Sequence, residues 1–143
     1  LIAKKVDAVI GAFRNFELNQ MDIVNKPGRA FYPEEHGVPT YEELIYIANQ
    51  KNKDNPLFDK FFSAIQKATL TIINDPVSTW RDFSSFRKGL DDELNKRAYK
   101  DTISRFSLRP QAHDLKTYKN FSKFLKNKGI IKQDINVETF AKP

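Results

Sequence analysis

The feature that most constrains this chain is the apolar pattern between Leu57 and Ile73. Leu57, Phe58, Phe61, Phe62, Ile65, Ala68, Thr69, Ile72 and Ile73 step by three and four. That spacing gathers them on one side of an α-helix and predicts a long amphipathic helix with a stripe that must be covered. Asn55-Pro56 marks its start, an N-cap followed by a proline whose missing N–H is not needed in the first turn. Asp75-Pro76 repeats that signal. Val77, Trp80, Phe83 and Phe86 then form a second apolar face, closed by Gly89, and Trp80 on that face reads as core. Leu90, Leu94, Ala98, Ile103 and Phe106 predict a third helix stopped by Pro110. Asp114 caps a fourth, with Leu115, Tyr118, Phe121, Ser122 and Leu125 on its face and Gly129 past its end. His113 sits beside that helix start with no further role. Ile130-Ile131 and Val137 to Phe140 read as short extended pieces.

Upstream of Asn55 the pattern changes. Leu1 to Lys5 reads as a helix end. Val6 to Ile10 is a short apolar run with Asp7 its only polar member, and its length and bounding Gly11 predict a buried strand. Asn15 is placed to cap a short helix carrying Phe16, Leu18, Met21, Ile23 and Val24, ended by Pro27-Gly28. Arg29 to Tyr32 is a second short strand. Pro33-Glu34-Glu35-His36-Gly37-Val38-Pro39 is a connector punctuated by proline and glycine. Leu44 to Ala48, apolar throughout, is a third strand covered on both faces. Three short strands with long crossovers do not complete a sheet by themselves. The expectation is an α/β fold, short strands followed by amphipathic helices, whose remaining strands belong to a longer protein.

The 143 residues, 40% hydrophobic and 29% charged, have the size and composition of one globular domain. The absence of cysteine excludes disulfides, thiolate catalysis and cysteine-based zinc sites. His36 and His113 have no metal-ligand spacing, so no metal is expected. The net charge of +6 raises nucleic acid as a partner, with lysines such as Lys116, Lys119, Lys123, Lys126 and Lys128 in the fourth helix region. A nucleic-acid groove also needs aromatics free to stack, and here they are spent on apolar helix faces, so no nucleic-acid partner is expected. No stretch approaches the roughly 20 apolar residues of a transmembrane helix.

Three stretches carry a family resemblance: Val6-Asp7-Ala8-Val9-Ile10-Gly11-Ala12, Asn15-Phe16-Glu17, and Glu34-Glu35-His36-Gly37-Val38-Pro39-Thr40-Tyr41-Glu42-Glu43-Leu44. Together they resemble the pyrimidine-precursor biosynthesis and binding family of thiamine metabolism. That family is similar in fold to type II periplasmic solute-binding proteins. The Asn15-Phe16-Glu17 and Glu35-to-Pro39 pair is the more particular signal. Asn55-Pro56 and Asp75-Pro76 before Trp80 continue the family's rhythm. The resemblance spans nearly the whole chain but only about the C-terminal half of a family member. It implies that residues 1–33 end the second lobe, 34–43 form an interdomain crossover or hinge, and 44–143 return to the first lobe.

Within the family the chain is most similar to bacterial ABC-importer binding proteins of the formylaminopyrimidine type. The implied function is capture of an aminopyrimidine thiamine precursor, formylaminopyrimidine or hydroxymethylpyrimidine-like, for biosynthesis or salvage. The site is then periplasmic or otherwise extracytoplasmic, with delivery to an ABC permease by closure of two lobes and with no catalysis and no cofactor. A fungal branch is enzymatic, building the pyrimidine from pyridoxal phosphate and histidine with a cysteine-rich segment that this chain lacks. A helical interaction domain standing alone is a further alternative. As part of a larger protein, the chain is expected to need its missing N-terminal portion, and to associate or swap segments without it.

The candidate ligand residues are Phe13, Arg14, Asn15 and Glu17. A carboxylate accepts from an exocyclic amine, an amide both gives and takes, and an aromatic ring stacks. Glu17 and Asn15 follow a strand end at a helix start, where open α/β sheets place ligands. A plainer reading stands beside this one: Asn15 as a cap, Glu17 in a first turn favoured by the helix dipole, Phe13 in the core and Arg14 in solvent. His36 is assigned to the hinge or to ligand contact, with an ordinary loop histidine as the alternative. Tyr41 either presents its hydroxyl to the cleft or anchors the next strand.

Overall fold

The computed structural model describes residues 1–141. Five helices follow in order: α1 (Glu17–Ile23), α2 (Leu57–Asn74), α3 (Pro76–Phe86), α4 (Glu93–Ile103) and α5 (Leu115–Asn127). Single 3₁₀ turns form at Pro33–His36, Gln50–Asn52 and Val137–Thr139.

The helix starts are built as their local chemistry demands. Asn55 Oδ1 accepts the Leu57 N–H at 3.0 Å, Asp75 Oδ1 accepts from Ser78 at 3.0 Å, and Asp114 Oδ1 accepts from Lys116 at 2.9 Å. Each satisfies a backbone donor that the helix cannot. Asp92 does the same for α4, accepting from the Asn95 N–H at 2.7 Å. At the end of α5, Gly129 takes φ +69° while its N–H bonds the Lys126 carbonyl and the Ile130 N–H bonds the Leu125 carbonyl, both at 2.9 Å. This pair is a Schellman closure, and glycine is the residue that enters it without strain.

Several expectations are corrected. No strand forms among the described residues: Val6 to Ile10, Arg29 to Tyr32 and Leu44 to Ala48 are irregular, apart from bends and turns. A strand is held by a ladder to a neighbouring backbone, and no such ladder forms among the described residues. Their side chains lie open instead, with Ile10 fully exposed and Ile47 90% exposed. Leu1 to Lys5 is an isolated turn in which the Lys4 N–H reaches the Leu1 carbonyl at 2.8 Å. Asn25 closes α1 before Pro27-Gly28 is reached, at φ +53° with the Lys26 N–H on the Met21 carbonyl at 2.9 Å. α4 ends at Ile103, upstream of Pro110, in a tight turn that puts the Arg105 N–H on the Thr102 carbonyl. Val137 to Phe140 is a 3₁₀ turn and its flank rather than an extended piece.

By their contacts the residues divide into two units. The first holds Leu1–Ala30 and Ile65–Leu108, and the second holds Phe31–Ala64 and the residues from Arg109 onward. In the first unit α3 meets α4 through aromatic rings. Trp80 lies 5.3 Å from Tyr99 and 5.8 Å from Phe83, and the Thr79 and Tyr99 hydroxyls share a 2.6 Å hydrogen bond. Trp80 is half-buried in this cluster. In the second unit Tyr46, Phe61 and Phe62 meet edge to face at 5.1 to 5.7 Å. Such ring pairs are worth about 0.5–1.5 kcal/mol each beyond the area they bury. α5 packs on the turn at Val137–Thr139, where Val137 is 2% exposed.

Candidate functional site

The segment from Gly11 to Asn19 turns sharply into α1. Gly11 has φ +85°, a conformation that a side chain makes costly. The Phe13 carbonyl then accepts from Phe16 at 3.0 Å and from Glu17 at 2.9 Å. Glu17 returns the contact: its Oε2 accepts the Phe13 N–H at 2.7 Å. A carboxylate reaching back to an upstream N–H is the logic of a capping box. It explains why this helix starts after Phe16, with no side-chain cap of the usual kind. Glu17 Oε1 takes no hydrogen bond among the described residues. Phe13 keeps 45% of its surface in solvent, and Arg14 beside it is exposed.

Asn15 does not cap α1. Its Nδ2 donates to Thr102 Oγ1 at 2.6 Å, and that hydroxyl donates to the Ala98 carbonyl at 2.6 Å. Asn19, one turn along, donates to the Asn15 carbonyl at 3.0 Å and to Asp101 Oδ2 at 2.8 Å. These half-buried amides tie α1 to α4. The sequence reading did not single out Asn19, Asp101 or Thr102. The available signal was the Asn15/Asn19 spacing of four, which puts two amides on one helix face.

Phe13, Arg14, Asn15 and Glu17 therefore share one turn of the first unit. His36 and Tyr41 belong to the second. His36 ends the 3₁₀ turn that starts at Pro33, closed by Gly37 at φ +84°, and its ring lies 5.8 Å from Phe31. Tyr41 stacks on Phe121 of α5 at 4.6 Å and 20°. Next to it, the Tyr118 hydroxyl donates to Glu42 Oε2 at 2.8 Å. Burial and the Glu42 carboxylate push the Tyr118 phenol up to about 12. His113 meets Tyr118 edge-on at 6.0 Å, and its Nδ1 is buried without a hydrogen bond. Among the described residues no cluster of three or more acids or histidines is placed to hold a metal. Among them also, no helix is long and apolar enough to cross a membrane.

Comparison with known proteins gives this turn a context. The family described as NMT1/THI5 like matches residues 1–79, which takes in both the Phe13–Glu17 turn and the connector from Pro33 to Tyr41. A Haemophilus influenzae protein named for thiamine biosynthesis is 38% identical over 142 residues, covering 99% of this chain and 45% of its own length. The 4-amino-5-hydroxymethyl-2-methylpyrimidine phosphate synthase THI12 of Saccharomyces cerevisiae is 35% identical over 66 residues, covering 45% of this chain and 19% of the yeast protein. The Schizosaccharomyces pombe synthase of the same name is 28% identical over 97 residues, covering 64% of this chain and 27% of its own. The chain thus spans less than half the length of these relatives. No solved structure matches it. With more than half of its residues matched, including the three stretches that first suggested the resemblance, the chain belongs to the NMT1/THI5-like family of thiamine pyrimidine-precursor proteins.

Proposed function

We propose that the chain is part of the substrate-binding component of an importer that captures an aminopyrimidine precursor of thiamine. The observation that carries this reading is the Phe13–Glu17 turn. It fixes a carboxylate by one oxygen, leaves the other open, and sets an exposed aromatic ring beside it. An aminopyrimidine amine donates to Glu17 Oε1, and the ring stacks on Phe13, a contact worth about 1–3 kcal/mol in base stacking. Asn15, committed to Thr102, acts here by holding the turn, and Arg14 borders the ligand. His36 serves the hinge. The fold in this reading is the two-lobed α/β type II arrangement. Val6 to Ile10, Arg29 to Tyr32 and Leu44 to Ala48 become strands when the rest of a longer protein supplies their neighbours. The protein works outside the cytoplasmic membrane with an ABC permease.

A second reading, a pyrimidine phosphate synthase, is favoured by the names of the yeast relatives. It requires an amine for a pyridoxal aldehyde, and residues 11–19 contain no lysine. The two readings separate on the whole protein. Titration calorimetry with an aminopyrimidine is expected to show saturable one-site binding, and Glu17→Gln to weaken it more than about tenfold, as loss of a charge-assisted hydrogen bond does. The glutamine still accepts from Phe13, so the turn survives. An unchanged affinity removes Glu17 from the site. A Schiff-base absorbance band on adding pyridoxal phosphate would favour the synthase.

A further inference from the structure

A cleft along α5 has no part in that reading. It has a volume of about 320 Å³ and is lined by Lys119, Ser122, Lys123 and Lys126, with Asn127 and Asp134 at its end. At 100° per residue, the three lysines leave the helix within about 60° of one another and span about 10 Å. Two of them hold carboxylates of the segment that follows: Lys119 bonds Glu138 at 2.6 Å, and Lys126 bonds Asp134. Lys123, between them, makes no ion pair among the described residues. Three ammonium groups thus face two carboxylates. The Ser122 hydroxyl and the Asn127 amide add uncharged donors.

We propose that this cleft binds the phosphate group of a small molecule, with Lys123 as the central cation. Phosphate offers several acceptor oxygens to donors arriving from different directions, and lysine serves it as a point charge. The C-terminal end of α5 repels an anion, and the lysines offset that repulsion. Asp134 and Glu138 occupy two of the lysines in the free protein. Both pairs are solvent-exposed and weak, so an entering phosphate displaces them at little cost. Asp134 and Glu138 therefore act as internal competitors. The cleft is larger than a phosphate ion, and Ile135 on its wall gives an apolar surface for an organic remainder.

The test is a titration of the whole protein at low ionic strength, followed by amide chemical shifts, with inorganic phosphate and phenyl phosphate as probes. Saturable shifts at Ser122, Lys123 and Asn127 are expected. Lys123→Met is expected to weaken binding about fivefold and Asp134→Asn to tighten it by a similar factor, the worth of one exposed charge contact. Tighter binding of phenyl phosphate identifies an ester as the ligand; equal binding identifies free phosphate. Lys88→Met and Asp82→Asn, in the other unit, change the net charge by the same amounts and are expected to leave both affinities unchanged. Shifts that fail to saturate, or an equal response to Lys88→Met, overturn the proposal.

Discussion

At the scale of single residues, two side-chain contacts decide how the structure responds to change. Thr102 accepts from Asn15 and donates to Ala98, so one hydroxyl ends a chain of half-buried hydrogen bonds. Thr102→Val keeps the shape and leaves the Asn15 amide without its acceptor. It is expected to cost about 1–3 kcal/mol in denaturant unfolding, the penalty of an unsatisfied polar group. A double-mutant cycle with Asn15→Ala should recover part of that cost, and full additivity would deny the contact. Tyr118 provides a second test. Its phenol is raised, so its contribution to stability is complete below the ordinary value of 10.0 and is lost as pH rises through about 12. The tyrosinate absorbance of this residue, isolated by difference against Tyr118→Phe, is expected to appear near pH 12, and Glu42→Gln to lower that midpoint. The roles first given to Asn15 show the limit of reading a residue alone. Its position near a helix start suggested a cap, but its partner is 87 residues away.

At the scale of elements, what was legible in the sequence is what is decided locally. Asp75 and Asp114 announce their helices because a cap bonds N–H groups only two or three residues on. Gly129 announces the end of α5 for the same reason. The strands were not legible in this sense: apolar runs at Val6, Arg29 and Leu44 state a preference for burial and say nothing about who provides it. The end of α4 was missed because a proline signals only the latest place a helix can stop. Asp114 yields a pH prediction. The Thr117 hydroxyl first, then the Lys116 N–H, hold its carboxyl below the ordinary 3.8. A depressed folded value gives stability that is present above the unfolded value and lost as pH falls through the folded one. Helix content of α5 is therefore expected to fall as the solution is acidified below pH 3.8. Asp114→Asn, which keeps the acceptor, should remove that acid dependence; circular dichroism reads both.

At the scale of the whole molecule, few residues are out of water. Val137, Ala141 and Thr69 are the buried residues among those described, while Ile10, Leu44, Ile47 and Phe86 stand open. Exposed apolar surface of this kind drives association. A chain of these residues produced alone is expected to show concentration-dependent size in light scattering. Paired Leu44→Lys and Ile47→Lys substitutions should suppress it; a size independent of concentration would show that the exposed segments are tolerated. The candidate site was half legible at this scale. Glu17 stood out from its place at a helix start, while the α4 residues that brace its turn lay too far along the chain to be paired with it by pattern.

That long separation also sets an order of events. The turn bearing Glu17 is held by bonds from Asn15 and Asn19 to residues 87 and 82 positions later. Closing a loop of that length carries an entropy cost that only the completed contacts repay. During synthesis at about 5–20 residues per second, α1 emerges and then waits roughly 4–17 seconds for α4. The turn that carries Glu17 thus gains its bracing bonds only after α4 has left the ribosome.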